Sequence, residues 1–395
     1  MQKKGNIILI TGFLLILFFF GVIADARYAI YALTGEPDHA YWVSEASSET
    51  EAHYTAGLPG KFAFLEWNGL THRLLGQREM NHVIKMNNGY LAELQAQIPP
   101  DDVVRRAHML ADLEEALAAR DVAFLYLAAP TKIRSREAHP RTEESAGHGG
   151  ENILPAGVTD YSDENLDRFM NVLAERGVNR IDLRETIRED ADNYYDFFYV
   201  TDHHWNTEAG FYAYQKIADW LVSRGITIDP RVRDLSNYEA ETFPDAHLGS
   251  RGRRSGVLFG GIDDFTLYTP RFETDLIEPD GTRGDFTQML VNRAYLSEEH
   301  DPHMSDTYDS VLEPSTGNYV NPLAGNDATV LFVSDSMGFA VAPYLAISVN
   351  RMISVNAYEP WNLASLVEET HPDAVVVLQA STMNLISDDS FRFGY

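Results

Sequence analysis

Apolar residues along this chain recur in two alternating periods, and that alternation predicts most of the architecture. Met109, Leu110, Leu113, Ala116 and Leu117 fall at helical spacing, and Val122 to Ala128 is an unbroken apolar run ending at Pro130. A helix feeding a buried strand is predicted. Leu166, Phe169, Met170 and Leu173 restore the helical period, Gly177 stops it, and Val178 to Leu183 reads as a strand. Asn206 or Thr207 can cap a further helix, whose Phe211, Tyr214, Ile217, Ala218 and Leu221 form one stripe ending before Gly225. The last third predicts strand Thr329 to Val333, helix near Phe339 to Ala346, strand Met352 to Val355, helix Trp361 to Thr370 and strand Ala374 to Leu378. Strands alternating with helices in this way predict an α/β fold with a parallel sheet.

Three stretches break the rhythm. Gly60 to Leu91 carries the turn Asn87-Asn88-Gly89 and predicts a short hairpin. Arg134 to Gly157 has no sustained period and predicts a long surface loop or lid. Residues 229–326 are rich in Gly, Asp, Arg and Tyr, with strand-like pieces such as Phe265 to Tyr268, and read as a β-rich insertion. At the amino terminus Lys3 and Lys4 precede an uncharged stretch from Asn6 to Ala24. About 20 apolar helical residues span a bilayer, so residues 1–26 form either a membrane anchor, the favoured reading, or a signal cleaved near Ala24-Asp25-Ala26. Either way the rest of the chain is expected outside the cytoplasm.

Composition narrows the chemistry. A formal net charge of -28 with only 31 Lys plus Arg opposes a nucleic-acid partner, whose phosphates such a surface repels. Without cysteine there are no disulfides, thiol nucleophiles or thiolate metal sites, so covalent catalysis falls to an oxygen or nitrogen nucleophile.

Thr201-Asp202-His203-His204-Trp205 stands at a helix entrance, and Val333-Ser334-Asp335-Ser336-Met337-Gly338 follows an apolar strand. A hydroxyl, an imidazole and a carboxylate make a neutral alcohol nucleophilic near pH 7, the imidazole taking the proton and the carboxylate fixing its tautomer. Ser336 is the candidate nucleophile, His204 the base and Asp202 its orienting group, with His203 as the competing base. Met337 and Gly338 offer backbone N–H groups to an oxyanion. A plain Ser-Asp-Ser helix cap is the alternative for the serine turn, and an Asp/His helix cap for the other. Asp202, His203, His204, Asp263 and Asp264 also form the acidic and imidazole set of a metal-site rival, although no metal or cofactor is called for. Lys132, beyond the end of a predicted strand, either balances charge in the cleft or is a solvated loop lysine. Arg251, Arg253 and Arg254 either bind an anionic saccharide or pair with local carboxylates.

The stretch Tyr199 to Gly210, with Asp202-His203-His204-Trp205 at its centre, resembles the DHHW family, which is similar to the SGNH-hydrolase-like domains of alginate O-acetyltransferases. Asn87-Asn88-Gly89-Tyr90-Leu91, Pro130-Thr131-Lys132, Leu248-Gly249-Ser250, Phe332 to Met337 and Pro372 to Val376 fall in the order of that group. Ser334 stands where the family's serine turn usually has glycine. The resemblance implies an SGNH-hydrolase-like α/β/α sandwich over residues 60–395, with the Asp-x-His pair preceding the serine. It implies O-acylation of a cell-surface or exported polysaccharide, with a membrane-bound O-acyltransferase supplying acyl groups. A carbohydrate esterase and a non-catalytic polysaccharide-binding protein are the alternatives.

Overall fold

The computed structural model describes residues 60–134, 153–297, 299–312, 316–358, 362–380, 385–391 and 394. The chain divides into two units, Met1–Asn68 and Gly69–Tyr395. The described part of the first opens helix α1 (Lys61–Leu74). The apolar segment Asn6 to Ala24 lies outside the described residues, and among those described no helix is long and apolar enough to cross a membrane. Most of the predicted 134–157 loop, residues 135–152, is likewise outside them.

In the second unit β1 (Glu79–Met80), β2 (Val83–Lys85) and β3 (Leu91–Ala92) make a small antiparallel sheet. The predicted turn joins β2 to β3, with Gly89 at φ 92° where a side chain would be strained. The chain then runs α2 (Pro100–Ala118), β4 (Ala123–Ala129), α3 (Ser162–Glu175), β5 (Arg180–Asp182), α4 (Leu183–Asp190) and α5 (Thr207–Ser223). Asn206 caps α5, its side chain accepting from Ala209 N–H. Between α5 and the final strands come β6 (Tyr238–His247), α6 (Ser250–Ser255), β7 (Asp263–Pro270), β8 (Leu276–Ile277), β9 (Arg283–Gly284), α7 (Thr307–Val311) and β10 (Gly317–Val320). The last third is β11 (Thr329–Ser334), α8 (Ala342–Ala346), β12 (Arg351–Asn356), α9 (Leu363–Thr370) and β13 (Ala374–Ala380).

Eight strands form the central sheet in the order β5-β4-β13-β11-β12-β10-β8-β9. The first five are parallel, as the β–α alternation predicts. The sheet as a whole is mixed rather than parallel, because β10, β8 and β9 add antiparallel to its edge. Residues 321–328 join β10 to β11 without a helix, and so short a connection cannot make the crossover that parallel strands require.

Alternation along the buried strands divides the core into two layers. Leu125, Leu127, Val330, Phe332, Val376 and Leu378 pack on one face with Trp205, Phe211 and Tyr214. Phe124, Tyr126, Leu331, Val333, Val375 and Val377 pack on the other against Leu110, Phe169 and Leu363. Helices therefore cover both faces, the α/β/α arrangement, and the carboxyl ends of β4, β11 and β13 share one edge, where open parallel sheets carry their sites.

Candidate active site

Ser336 opens a tight turn just past β11. The segment predicted as helix from Phe339 begins earlier and is split, a 3₁₀ turn over Ser336–Ala340 preceding α8. Asp335 closes it: Oδ1 accepts from Met337 N–H at 2.9 Å and Oδ2 from Ala380 N–H at 2.6 Å, tying the turn to the end of β13. Gly338 N–H bonds the carbonyl of Asp335 at 2.9 Å. The amides of Met337 and Gly338 are thus engaged inside the turn rather than open to an oxyanion. A Cβ on Gly338 would lie 2.0 Å from Ser334 Oγ, so the missing side chain at 338 makes room for the hydroxymethyl group of Ser334.

Asp202, His203 and His204 lie in irregular backbone, which must find its hydrogen bonds elsewhere. Asp263 accepts from the N–H groups of Val200 at 2.7 Å and Thr201 at 2.8 Å, and also from the Thr201 hydroxyl. Buried Lys132 donates to the carbonyls of Leu91 (3.2 Å), Tyr199 (2.6 Å) and Asp202. Burial, then the nearby Arg251 charge, pulls the Lys132 ammonium down to about 7. It is not a solvated loop lysine but a buried brace under the Asp-His loop, at the edge of the cleft. Trp205 closes the far side: its indole N–H reaches Tyr308 Oη (3.0 Å) and the carbonyl of Met337 (3.1 Å), linking the histidine loop to the serine turn.

The two segments bring the three candidate residues into line. His204 Nδ1 lies 2.7 Å from Asp202 Oδ2, and Nε2 lies 2.7 Å from Ser336 Oγ. With Nδ1–H donating to the carboxylate, Nε2 is left to accept the serine proton. His204 and Asp202 are fully buried, while Ser336 keeps partial access to solvent. Burial opposes both charges, yet each charge supports the other. The Asp202 carboxyl is held well below its usual range, and the imidazole is raised above its own.

Asp202 does more than orient one ring. Its Oδ1 accepts from the backbone N–H groups of His203 (2.7 Å) and Ser250 (2.9 Å) and the hydroxyl of Ser250 (3.0 Å), while Oδ2 lies 3.2 Å from a second buried imidazole, His247 Nε2. Gly249 lets α6 come this close, since a Cβ there would meet Asp202 Cβ at 2.1 Å. His203 turns its Nδ1 to Asp202 Oδ1 and Ser250 Oγ (3.0 and 2.8 Å), so the imidazole bonded to Ser336 is that of His204. Tyr308 stacks on the His204 ring, centroids 4.2 Å apart and planes 14° from parallel. Next to it, Asp309 places Oδ1 3.8 Å from His204 Nε2. His247, Tyr308 and Asp309 were not among the sequence candidates. Each comes from the segment between α5 and β11, where only the position of His247 beside Leu248-Gly249-Ser250 offered any signal.

A cleft of about 1160 Å³ opens beside this cluster, with Lys132, His203, Ser250, Arg251, Met337 and Tyr358 among its lining residues. The three arginines separate there. Arg253 pairs with Asp306 at 2.8 Å and Arg254 with Glu93 at 2.7 Å, carboxylates 53 and 161 residues away in the chain. Among the described residues Arg251 has no such carboxylate: its Nε and Nη1 are buried without hydrogen-bond partners there, and burial lowers its guanidinium to about 10.

The metal-site set does not assemble as one group. Asp263 is engaged by the loop amides, and Asp264 accepts from Asp245 N–H at 2.9 Å. Asp202 forms tight groups with His203 and His204 and with His247 and Asp306, but a cation there would have to displace the donors already filling both its oxygens.

Residues 93–242 match the family described as the SGNH hydrolase-like domain of the acetyltransferase AlgX. No curated protein matches the chain. Among solved structures, PatB1 of Bacillus cereus is similar at 19% identity, with a TM-score of 0.61 over 79% of this chain and 99% of that one. A DHHW family protein of Eubacterium siraeum is similar at 15% identity, with a TM-score of 0.54 over 79% of this chain and 94% of the other. The O-acetyltransferase domain of Pseudomonas putida AlgJ aligns at 13% identity and a TM-score of 0.46, over 77% and 92% of the two chains. Over residues 93–242 the chain is thus similar to the SGNH hydrolase-like domain of an acetyltransferase, and its likeness to PatB1 and the DHHW family protein extends the shared fold over most of the chain, in keeping with an SGNH-type acyltransferase or esterase.

Proposed function

We propose that the protein transfers an acyl group, acetyl in the first instance, to hydroxyls of an exported or cell-surface polysaccharide through an acyl-enzyme on Ser336. The observation that carries this reading is the line from Asp202 Oδ2 through His204 to Ser336 Oγ, with both contacts at 2.7 Å. As Oγ adds to the donor carbonyl carbon, the serine proton passes to Nε2, and the donor's leaving oxygen departs with that proton. Ser336 N–H has no hydrogen-bond partner among the described residues and is an amide open to the developing oxyanion. In the second half an acceptor O–H gives its proton to Nε2 as its oxygen bonds the acyl carbon. The Oγ–acyl bond then breaks, and the proton returns to Oγ.

Three features support a polysaccharide acceptor: a matching family named for an acetyltransferase, a cleft broad enough for a chain of sugars, and an amino-terminal segment read as an export signal or anchor. In that setting the protein works outside the cytoplasm, and a membrane-bound acyltransferase is the partner that supplies acyl groups. An esterase shares every atom of the first half-reaction and differs only in accepting water. A purely binding role leaves the buried 2.7 Å contacts without a purpose.

Mass spectrometry after brief exposure to p-nitrophenyl acetate tests the reading. An acetyl adduct is expected on Ser336, absent from Ser336→Ala and His204→Ala. Folded, unmutated protein that neither gains the adduct nor releases p-nitrophenol overturns it.

A further inference from the structure

The second half-reaction is the step that separates a transferase from an esterase, and one group beside the reacting atoms has no role in the first. Helix α7 presents Thr307, Tyr308 and Asp309 in succession. Tyr308 is buried against the His204 ring. The preceding Asp306 is engaged by Arg253 at 2.8 Å and by Tyr308 N–H at 3.1 Å. Asp309 is different: its side chain is 44% exposed, its carboxylate has no hydrogen-bond partner among the described residues, and Oδ1 lies 3.8 Å from the nitrogen that receives the acceptor's proton. That separation is too long for a direct hydrogen bond between carboxylate and imidazole.

Once Ser336 Oγ is esterified it has no proton to give, so Nε2 loses its donor and an incoming hydroxyl takes that place. Two O–H donors side by side suit what remains: one for Nε2, the other for the carboxylate. Adjacent hydroxyls on a sugar ring present such a pair, whereas a monohydric alcohol leaves Asp309 without a partner. Resting on the acyl-enzyme reading above, we infer that Asp309 binds the acceptor, taking the hydroxyl next to the one being acylated and so selecting a vicinal diol. The bonds made and broken are those of the second half-reaction; Asp309 exchanges no atom and accepts one hydrogen bond. A charge-assisted bond of this kind is among the stronger ones available to a site.

Water also carries two O–H bonds, so the rival is that Asp309 orients a hydrolytic water. Partitioning of the acyl-enzyme separates the two. Ethylene glycol and ethanol are supplied as competing acceptors to protein acylated by p-nitrophenyl acetate, and the two esters and free acetate are quantified. Unmutated protein is expected to favour the diol at least about ten-fold per molecule, beyond the factor of two from its second hydroxyl, as befits a site that loses a charge-assisted bond with the wrong acceptor. Asp309→Asn and Asp309→Ala are expected to bring the preference within about three-fold. The ratio is taken among products of one intermediate, so neither acylation rate nor the folded fraction enters it. A diol preference below three-fold in the unmutated protein overturns the inference. So does a preference that survives both substitutions, including the case in which they lower only acetate release. If no Ser336 adduct forms at all, it is the acyl-enzyme reading that fails, and this inference falls with it.

Discussion

Ser336 and His204 meet at 2.7 Å, but the two sides of the site are built in opposite ways. The serine side is local. A buried strand delivers Ser336 to the sheet edge, and Asp335, the residue just before it, closes the turn and ties it to β13. The histidine side is assembled from afar. Residues 199–205 form no helix or strand, and they are held by Lys132 from beyond β4, by Asp263 from β7, and by His247, Ser250 and Tyr308 from the segment between α5 and β11. One side takes its precision from the sheet, the other from a ring of buried polar contacts.

The largest effects test whether the two sides act as a unit. Ser336→Ala and His204→Ala are each expected to lower acyl transfer at least about 10⁴-fold. The double variant is expected to lose little more than either one, because groups serving the same proton transfer are not additive. Steady-state rates with an activated acetyl ester check this. A double variant that loses the product of the two single factors contradicts a shared step.

Close backbone approaches sharpen the contrast. Gly249→Ala places a methyl 2.1 Å from Asp202 Cβ, so the loop must shift and carry the carboxylate off line. A loss of about 10²-fold in kcat is expected, since a displacement near 1 Å at a reacting centre costs that much. Gly338→Ala on the serine side collides instead with Ser334 Oγ at 2.0 Å. It is expected to lower stability by about 1–3 kcal/mol, as overpacking does, and Ser334→Gly in the same chain is expected to recover most of it. Denaturant melts of the three proteins decide this: no recovery in the double variant means the clash lies elsewhere.

The same contrast explains what the amino-acid sequence reveals. Val122 to Ala128, Thr329 to Val333 and Ala374 to Leu378 predict β4, β11 and β13 within a residue or two, because a strand buried on both faces must be continuously apolar. Ser336, His204 and Asp202 are legible for a related reason, each lying at an element boundary beside turn or cap residues. The mixed character of the sheet is not legible: β8 and β9 have two residues each and β10 four, too few to show a period. Nor are His247, Tyr308 and Asp309, whose places beside Asp202 and His204 arise from tertiary approach across a segment with little periodicity. Lys132 is a near miss. Its place beyond a strand end is visible, but the carbonyls that hold it belong to β3, 41 residues before it, and to the loop that begins at Tyr199, 67 residues after it.

A smaller effect probes the brace of the histidine loop. Asp263→Asn keeps the shape but removes the charge and replaces one acceptor oxygen with a donor, facing the N–H groups of Val200 and Thr201. About 1–3 kcal/mol of stability is expected to go with it, with a fall in kcat that exceeds any change in KM, since the loop positions His204 and gives only His203 to the cleft wall. Thermal melts and initial rates measured together check the pairing. A lower Tm with unchanged kcat shows that the loop keeps its place without this cap.

The gentlest test uses pH, and activity and stability should respond in opposite directions. Burial works against a charged His204, but Asp202 at Nδ1 outweighs it and raises the imidazole above its ordinary value, about 6.5 for a free histidine. Proton abstraction from Ser336 needs the neutral ring, so activity is lost as pH falls through the raised value, and the acid limb of kcat/KM should lie above 6.5. Stability has the other sign. A folded-state pKa above the unfolded one contributes stability that is fully present below the unfolded value and disappears as pH rises through the folded one. The Tm gap between the unmutated protein and His204→Gln should therefore narrow with rising pH while activity climbs. His247→Leu refines this further, because it removes one of the two imidazoles facing Asp202 Oδ2. More of the carboxylate's charge is then left to His204, and the acid limb should move to still higher pH. A limb that stays put in His247→Leu, with the fold intact, means the second imidazole does not act through Asp202.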